Sequence, residues 1–291
     1  MRQVAPAPFN NPDAGFAIRT ELTNTIFYVP LFLLVSASTF FDSLRSSEEL
    51  VVPESDATME TILRFVYPVP DPVLQDMNDV SDALAASLRY NIPYVTNRLR
   101  HILVSPRFMS LEPVRIYAIA RRYGLNEEAN LAAQHALRFP LDWPAYEEFE
   151  HINGKMYHEL VVLHRETSRT LVRILQDHPK TTEIFCHSRC TSPASWWFQY
   201  ADAAILKLSE APLSDEIFTL QFLSTMALQK PGFSCKACWS SMMQALQPGG
   251  SILLLKEKFE KINVNIIKEY VPISLGIAFH LSQFTERRFR I

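Results

Sequence analysis

Apolar and polar positions alternate in short runs near the N-terminus and repeat at helical spacing afterwards. Gly15 to Thr20 and Thr25 to Val29 read as short strands, the second rich in Ile, Phe, Tyr and Val, with a turn at Leu22, Thr23 and Asn24. A hairpin is predicted. After Pro30, the run Leu31 to Val35, then Ser36-Ala37-Ser38-Thr39 with Phe40, Phe41 and Leu44, predicts two short helices for which the serines can supply N-caps. Glu49 to Pro53 reads as another strand. Ser55 or Asp56 then caps a helix carrying Met59, Ile62, Leu63 and Val66 on one face, ended at Tyr67 by Pro68.

Past the Pro-Val-Pro-Asp-Pro punctuation at 68–72, breakers divide a helical region into Asp79 to Tyr90, Pro93 to Leu103, Pro113 to Tyr123 and Asn126 to Leu137. Gly124 follows Arg121, Arg122 and Tyr123 as a helix-stop glycine, and Glu127 and Glu128 suit the start of the next helix dipole. Residues 139–152 are rich in proline and acid and read as a connector. A long amphipathic helix over 153–177, a Cys- and Trp-bearing loop over 186–200 and further helices complete the pattern. The predicted fold class is α+β, with an all-α C-terminal region.

The order of strand, strand, two short helices, strand and helix between Gly15 and Leu137 resembles a BTB/POZ domain, and among those a large fungal family. The likeness is carried by Leu63-Arg64-Phe65-Val66-Tyr67-Pro68-Val69-Pro70, by Leu99-Arg100-His101-Ile102-Leu103 through Phe108, and by Glu112-Pro113-Val114-Arg115 through Tyr123-Gly124-Leu125. It continues more weakly through Tyr157, Leu160 and His164 and through Ser195-Trp196-Trp197 to the second Cys pair. The resemblance implies a BTB/POZ-like domain at 14–104, a helical extension at 105–138, the connector at 139–152, a helical C-terminal region at 153–270 and a tail at 271–291.

It further implies a homodimer whose surface is the first strand and the helix at 31–44, with Phe32, Leu33, Phe40, Phe41 and Leu44 at its interface or core. Scaffolding of other proteins follows, with a cullin-type ubiquitin-ligase scaffold or a transcriptional complex as alternative partners. Two departures bear on this. Pro30 and Leu31 stand where the family carries a His-Lys pair, and Gly15 stands at its usual acidic residue, so a charged dimer-pocket contact is expected to be absent.

Composition narrows the function classes. The chain has 291 residues, 48% hydrophobic and 20% charged, with a formal net charge of −3, which excludes the disordered class and supplies no long-range field for nucleic acid or acidic lipid. Only 7 glycines leave little material for a phosphate-cradling loop, and no Walker, dinucleotide-binding or nucleophile-elbow pattern occurs. The N-terminal stretch Ala5 to Asp13 is polar and Pro-rich, without the apolar core of a secretory signal. The longest apolar run, Ile26 to Val35, is broken by Pro30 and falls short of the ~20 residues that span a bilayer. Val271 to Leu281, interrupted by Pro272, Gly276 and His280, reads as a buried segment. The expectation is an intracellular protein, cytoplasmic or nuclear, with neither membrane nor nucleic-acid partners.

All 4 cysteines fall in two pairs, Cys186-x₃-Cys190 and Cys235-x₂-Cys238. Each loop can turn two thiolates toward one tetrahedral cation, so one structural Zn²⁺ is a candidate cofactor, with ordinary thiols as the alternative and His187 as a substitute ligand. His158 and His164 stand six residues apart, rotated ~120° around a helix, which rules out the zincin pair that needs a shared face. Tyr157, Leu160, Val161 and His164 are better explained as a packing face, with His164 a hydrogen-bonded, half-buried residue. Trp196, Trp197, Phe198 and Tyr200 read as core beside the cysteine loop, and Arg98, Arg100, Arg121 and Arg122 as exposed helix faces. No catalytic residues are predicted. The rival from another class is a zinc or redox enzyme centred on Cys235 and Cys238, but neither an open three-ligand site nor a βαβ setting for a redox Cys-x₂-Cys is legible.

Overall fold

The computed structural model describes residues 2–44, 49–181, 195–229 and 236–270. It is mixed α/β and mostly helical, with one four-stranded sheet. The chain divides into two compact units, residues 1–119 and 120–291.

The first unit is built on strands β1 (Gln3–Val4), β2 (Gly15–Thr20), β3 (Thr25–Pro30) and β4 (Glu49–Val52), in the order β1-β3-β2-β4. The predicted hairpin forms with Phe16 opposite Val29 and Ile18 opposite Phe27, so the alternation of β2 turns Phe16, Ile18 and Thr20 inward together. β4 runs parallel to β2, with Ile18 opposite Leu50. A parallel neighbour needs a crossover, and helix α1 (Leu31–Ala37) followed by a 3₁₀ turn (Thr39–Ser43) lies in that connection. Asn24 closes the hairpin turn at φ +56°, a conformation asparagine tolerates.

The turn is tied to the next helix, α2 (Asp56–Val66). Asp56 accepts hydrogen bonds from the hydroxyls of Thr20 (2.6 Å), Thr23 (2.5 Å) and Thr25 (2.7 Å). Burial pushes its carboxyl pKa up, but the three hydroxyls outweigh burial and hold it below the ordinary carboxylate value. Ser55 caps the helix by accepting from the Thr58 amide at 3.2 Å. Helices α3 (Met77–Arg89), α4 (Pro93–Leu103), the single turn α5 (Pro106–Met109) and α6 (Pro113–Arg122) follow, with α3 packed on both α2 and α4. Asp76 caps α3 and starts it two residues before the predicted Asp79.

The N-terminal stretch, polar and Pro-rich in sequence, is part of the fold. Gln3 and Val4 add a parallel strand to β3, and Phe9 is fully buried against Phe27 and Tyr67. One large aromatic outweighs the surrounding prolines, because its burial returns ~1.5–3 kcal/mol.

The second unit is helical: α7 (Asn126–Ala136), a 3₁₀ turn (Glu147–His151), α8 (Gly154–Thr181), α9 (Ser195–Glu210), a second 3₁₀ turn (Asp215–Phe218), α10 (Leu220–Gln229), α11 (Lys236–Gln244) and α12 (Ser251–Tyr270). Gly124 adopts φ +69° as the predicted stop after α6, and the Leu125 amide reaches back to the Ala120 carbonyl at 2.8 Å. α8 packs on α9 and α12 around Leu171, Leu175, Trp196, Trp197, Tyr200, Ala204 and Leu208. The tryptophans therefore sit in a helix, not in the loop predicted over 186–200: Trp196, Tyr200, Ala204 and Leu208 repeat every four residues and face one core. Gly250 meets the Gln244 and Ala245 carbonyls so closely that a Cβ would stand 2.4 Å from each oxygen, which fixes glycine where α12 begins. Among the described residues no helix is long and apolar enough to cross a membrane.

Candidate functional site

Each unit holds one candidate region. In the first, Pro30 ends β3 at φ −63°, and α1 begins at the next residue. Leu34 is the residue of α1 that is buried; Phe32 is 70% exposed, Val35 is exposed, and Leu31 and Leu33 are half-buried. Ser38 then anchors the following turn, accepting from the Phe40 amide at 3.0 Å and donating to the Tyr90 carbonyl at 2.5 Å.

That turn sets two neighbouring rings at different depths. In a 3₁₀ turn successive side chains diverge by ~120°, and the Phe40 and Phe41 rings meet edge-on at 5.1 Å beside Tyr90. Phe41 goes inward and is 2% exposed, while Phe40 is 38% exposed with its ring 5.3 Å from that of Tyr90. Tyr90 in turn donates its phenol to Glu54, which also receives Arg89 at 2.6 Å. Burial, and then the Glu54 carboxylate, push the Tyr90 phenol pKa well above its ordinary value, so it stays a donor.

Of the five predicted interface residues, Phe32 and Phe40 are thus exposed, and Leu33 and Leu44 half-buried. Phe41 is buried, a core member of the set expected at the interface or core. Phe32, Val35 and Phe40 leave apolar side chains exposed on α1 and the turn after it.

In the second unit, Cys186, His187, Cys190 and Cys235 lie outside the described residues. Cys238 is 1% exposed in the first turn of α11, in the same core as Trp196, Trp197 and Met242. Among the described residues no group of three His, Cys, Asp or Glu side chains comes together as a metal site requires. The predicted aromatic core is present: Trp196, Trp197 and Tyr200 are buried with ring centroids 5.3–6.4 Å apart, and Phe198 points outward at 52% exposure.

His164 is hydrogen-bonded as expected, its Nε2 3.0 Å from the Phe139 carbonyl, but is fully buried where a half-buried residue was expected; burial lowers its pKa despite that carbonyl and the Glu210 carbonyl, which favour the proton.

The sequence reading missed His178. It is 1% exposed, with Nε2 2.8 Å from the Ser251 carbonyl, Nδ1 3.3 Å from the Lys258 ammonium and its ring 5.2 Å from Trp197. The Ser251 carbonyl requires an N–H at Nε2, which leaves the Nδ1 lone pair to accept from Lys258. The ring is therefore neutral. Burial first, then the Lys258 charge, drive its pKa down to about 4. Its signal was present, since Leu160, Leu163, His164, Thr167, Leu171, Leu175 and His178 form one stripe at helical spacing.

The chain matches no protein-family model and no curated protein.

Proposed function

We propose that the chain is a non-enzymatic protein-interaction module of BTB/POZ type that self-associates through its first unit and holds partners with the rest. The observation that carries this reading is the exposed apolar set Phe32, Val35 and Phe40 on the crossover between β3 and β4. An exposed phenylalanine on a rigid, well-anchored element gains ~1.5–3 kcal/mol when a partner covers it. The order hairpin, crossover helix, parallel strand and helix agrees with the family likeness of the motifs between Leu63 and Leu125. A second copy presenting the same patch would bury Phe32 against itself across a two-fold axis, as an isologous contact requires.

The expected result is a dimer at micromolar concentration by sedimentation or light scattering, against a protomer mass of 33.4 kDa. Phe32→Asp, which places a charge in the contact and disturbs no buried neighbour, should shift the protein to monomer with its far-UV spectrum intact. A wild-type chain that runs as a monomer under those conditions removes the self-association reading.

We also propose one structural zinc held by Cys186, Cys190, Cys235 and Cys238. Of these four, Cys238 falls within the described residues, buried at the start of α11 beside the aromatic core. Elemental analysis of protein purified without added metal should return one zinc per chain, and Cys238→Ser should lower that value below half. Metal-free protein with all four thiols reactive would overturn the site.

A further inference from the structure

The outer face of α8 carries a charge pattern that neither the fold nor the reading above uses. At ~100° per residue, Lys155, His158, Arg165, Arg169 and Arg173 fall within a sector of about 80°. All five are exposed. The opposite side of the same helix is the buried stripe of Leu160, Leu163, Leu171 and Leu175. Glu159, Glu166 and Asp177 stand just outside one edge of the sector, by roughly 20–40°. Arg169 forms an ion pair with Glu166 at 2.5 Å between side chains 69% and 35% exposed, a weak contact that a partner can replace. In a chain of net charge −3, this is a local basic ribbon about 27 Å long at ~1.5 Å per residue.

The three arginines rise in steps of ~6 Å, the step of any residues spaced i, i+4 on an α-helix. Each guanidinium offers a planar fork that matches a carboxylate in two hydrogen bonds. We propose that this face is a docking surface for an acidic helical segment of a partner protein, whose carboxylates at i, i+4 and i+8 pair with Arg165, Arg169 and Arg173. The proposal names a partner class for the interaction module and rests on that reading, but it concerns the second unit alone. Nucleic acid fits less well. The sector holds no Phe, Tyr or Trp for bases to stack on. A lipid surface also fits less well, since Val162, the apolar residue within the sector, is half-buried and cannot insert.

The test uses the full chain and a labelled alanine-based helical peptide with glutamates at i, i+4 and i+8 on one face. A second peptide of the same composition spreads its glutamates around the helix. Fluorescence anisotropy at low salt should show the faced peptide binding at least ~10-fold tighter than the spread one, with affinity falling as salt rises. R165E/R169E/R173E should lower that affinity at least ~10-fold with an unchanged helical spectrum, and R165Q/R173Q, which removes charge without reversing it, should fall between.

Equal binding of both peptides, or an unaffected triple variant, overturns the proposal. So does tighter binding to a DNA oligonucleotide of matching length, or to vesicles containing about one-third phosphatidylserine, since a generic polyanion or lipid contact would then explain the ribbon. A monomer that binds the faced peptide would remove self-association and keep the ribbon, whereas a dimer indifferent to it would do the reverse.

Discussion

Trp197→Ala is expected to destabilise the second unit by about 3–5 kcal/mol, the range for truncating a fully buried aromatic. Trp197 is 2% exposed, and its ring stands 5.8 Å from Trp196, 5.3 Å from Tyr200 and 5.2 Å from His178. Removing it would open a void where α8, α9 and α12 meet, and those rings lose a contact face together. Against typical domain stabilities of ~5–15 kcal/mol, the loss approaches global unfolding. All four tryptophans, at 143, 196, 197 and 239, lie in residues 120–291, so tryptophan emission during urea titration reports on this unit and not on the first. Phe198→Ala, on the adjacent but 52% exposed position, should change stability by only ~0.5 kcal/mol. Similar midpoints for the two variants would mean that Trp197 is not a core residue.

Acidification is expected to weaken the same unit through His178. Its folded pKa of about 4 lies below the unfolded value of 6.5, so at neutral pH both states are unprotonated and its contribution is fully present. As pH falls below 6.5 the unfolded chain takes a proton that the folded chain refuses, because the ring would become a buried cation beside Lys258. Stability is therefore lost progressively between about 6.5 and about 4, by up to about 3 kcal/mol at ~1.4 kcal/mol per unit. His135 and His164, both with pKa values lowered chiefly by burial, act in the same direction. Urea midpoints by tryptophan emission at pH 7.5 and pH 5 measure the effect. His178→Gln should flatten the profile while lowering stability at neutral pH, whereas a wild-type midpoint that does not move would contradict the buried neutral ring.

Local signals located most of the elements of the first unit and the start of the second. The hairpin, the strand at Glu49, the Ser55 cap, the helix starts at Pro93, Pro113 and Asn126 and the stop at Gly124 all rest on interactions within a few residues, where composition and spacing suffice. What failed lay where a distant partner decides. Gln3 and Val4 become a strand because β3 offers an edge, and Phe9 is inside because Phe27 and Tyr67 leave room for it. Trp196 and Trp197 read as part of a loop because aromatic residues alone do not distinguish a helix from its surroundings; their repeat with Tyr200, Ala204 and Leu208 acquires meaning only once α8 and α12 supply a core.

The candidate sites divide in the same way. Apolar character on the segment 31–44 was written in its residue types, but which ring faces out was settled by the 3₁₀ turn that sends Phe41 inward and leaves Phe40 at the surface. The amphipathicity of α8 was legible as a period of 3.6. The neutral state of His178 was not, since it depends on the Ser251 carbonyl and the Lys258 ammonium, 73 and 80 residues away along the chain. By itself the sequence determined where backbone conformation changes, through caps, prolines, glycines and apolar period, all of which act over one or two turns. The tertiary structure alone decided sheet order, the choice between core and surface for neighbouring aromatics, and the charge of a buried histidine, because each depends on desolvation and contact with groups that only folding brings near.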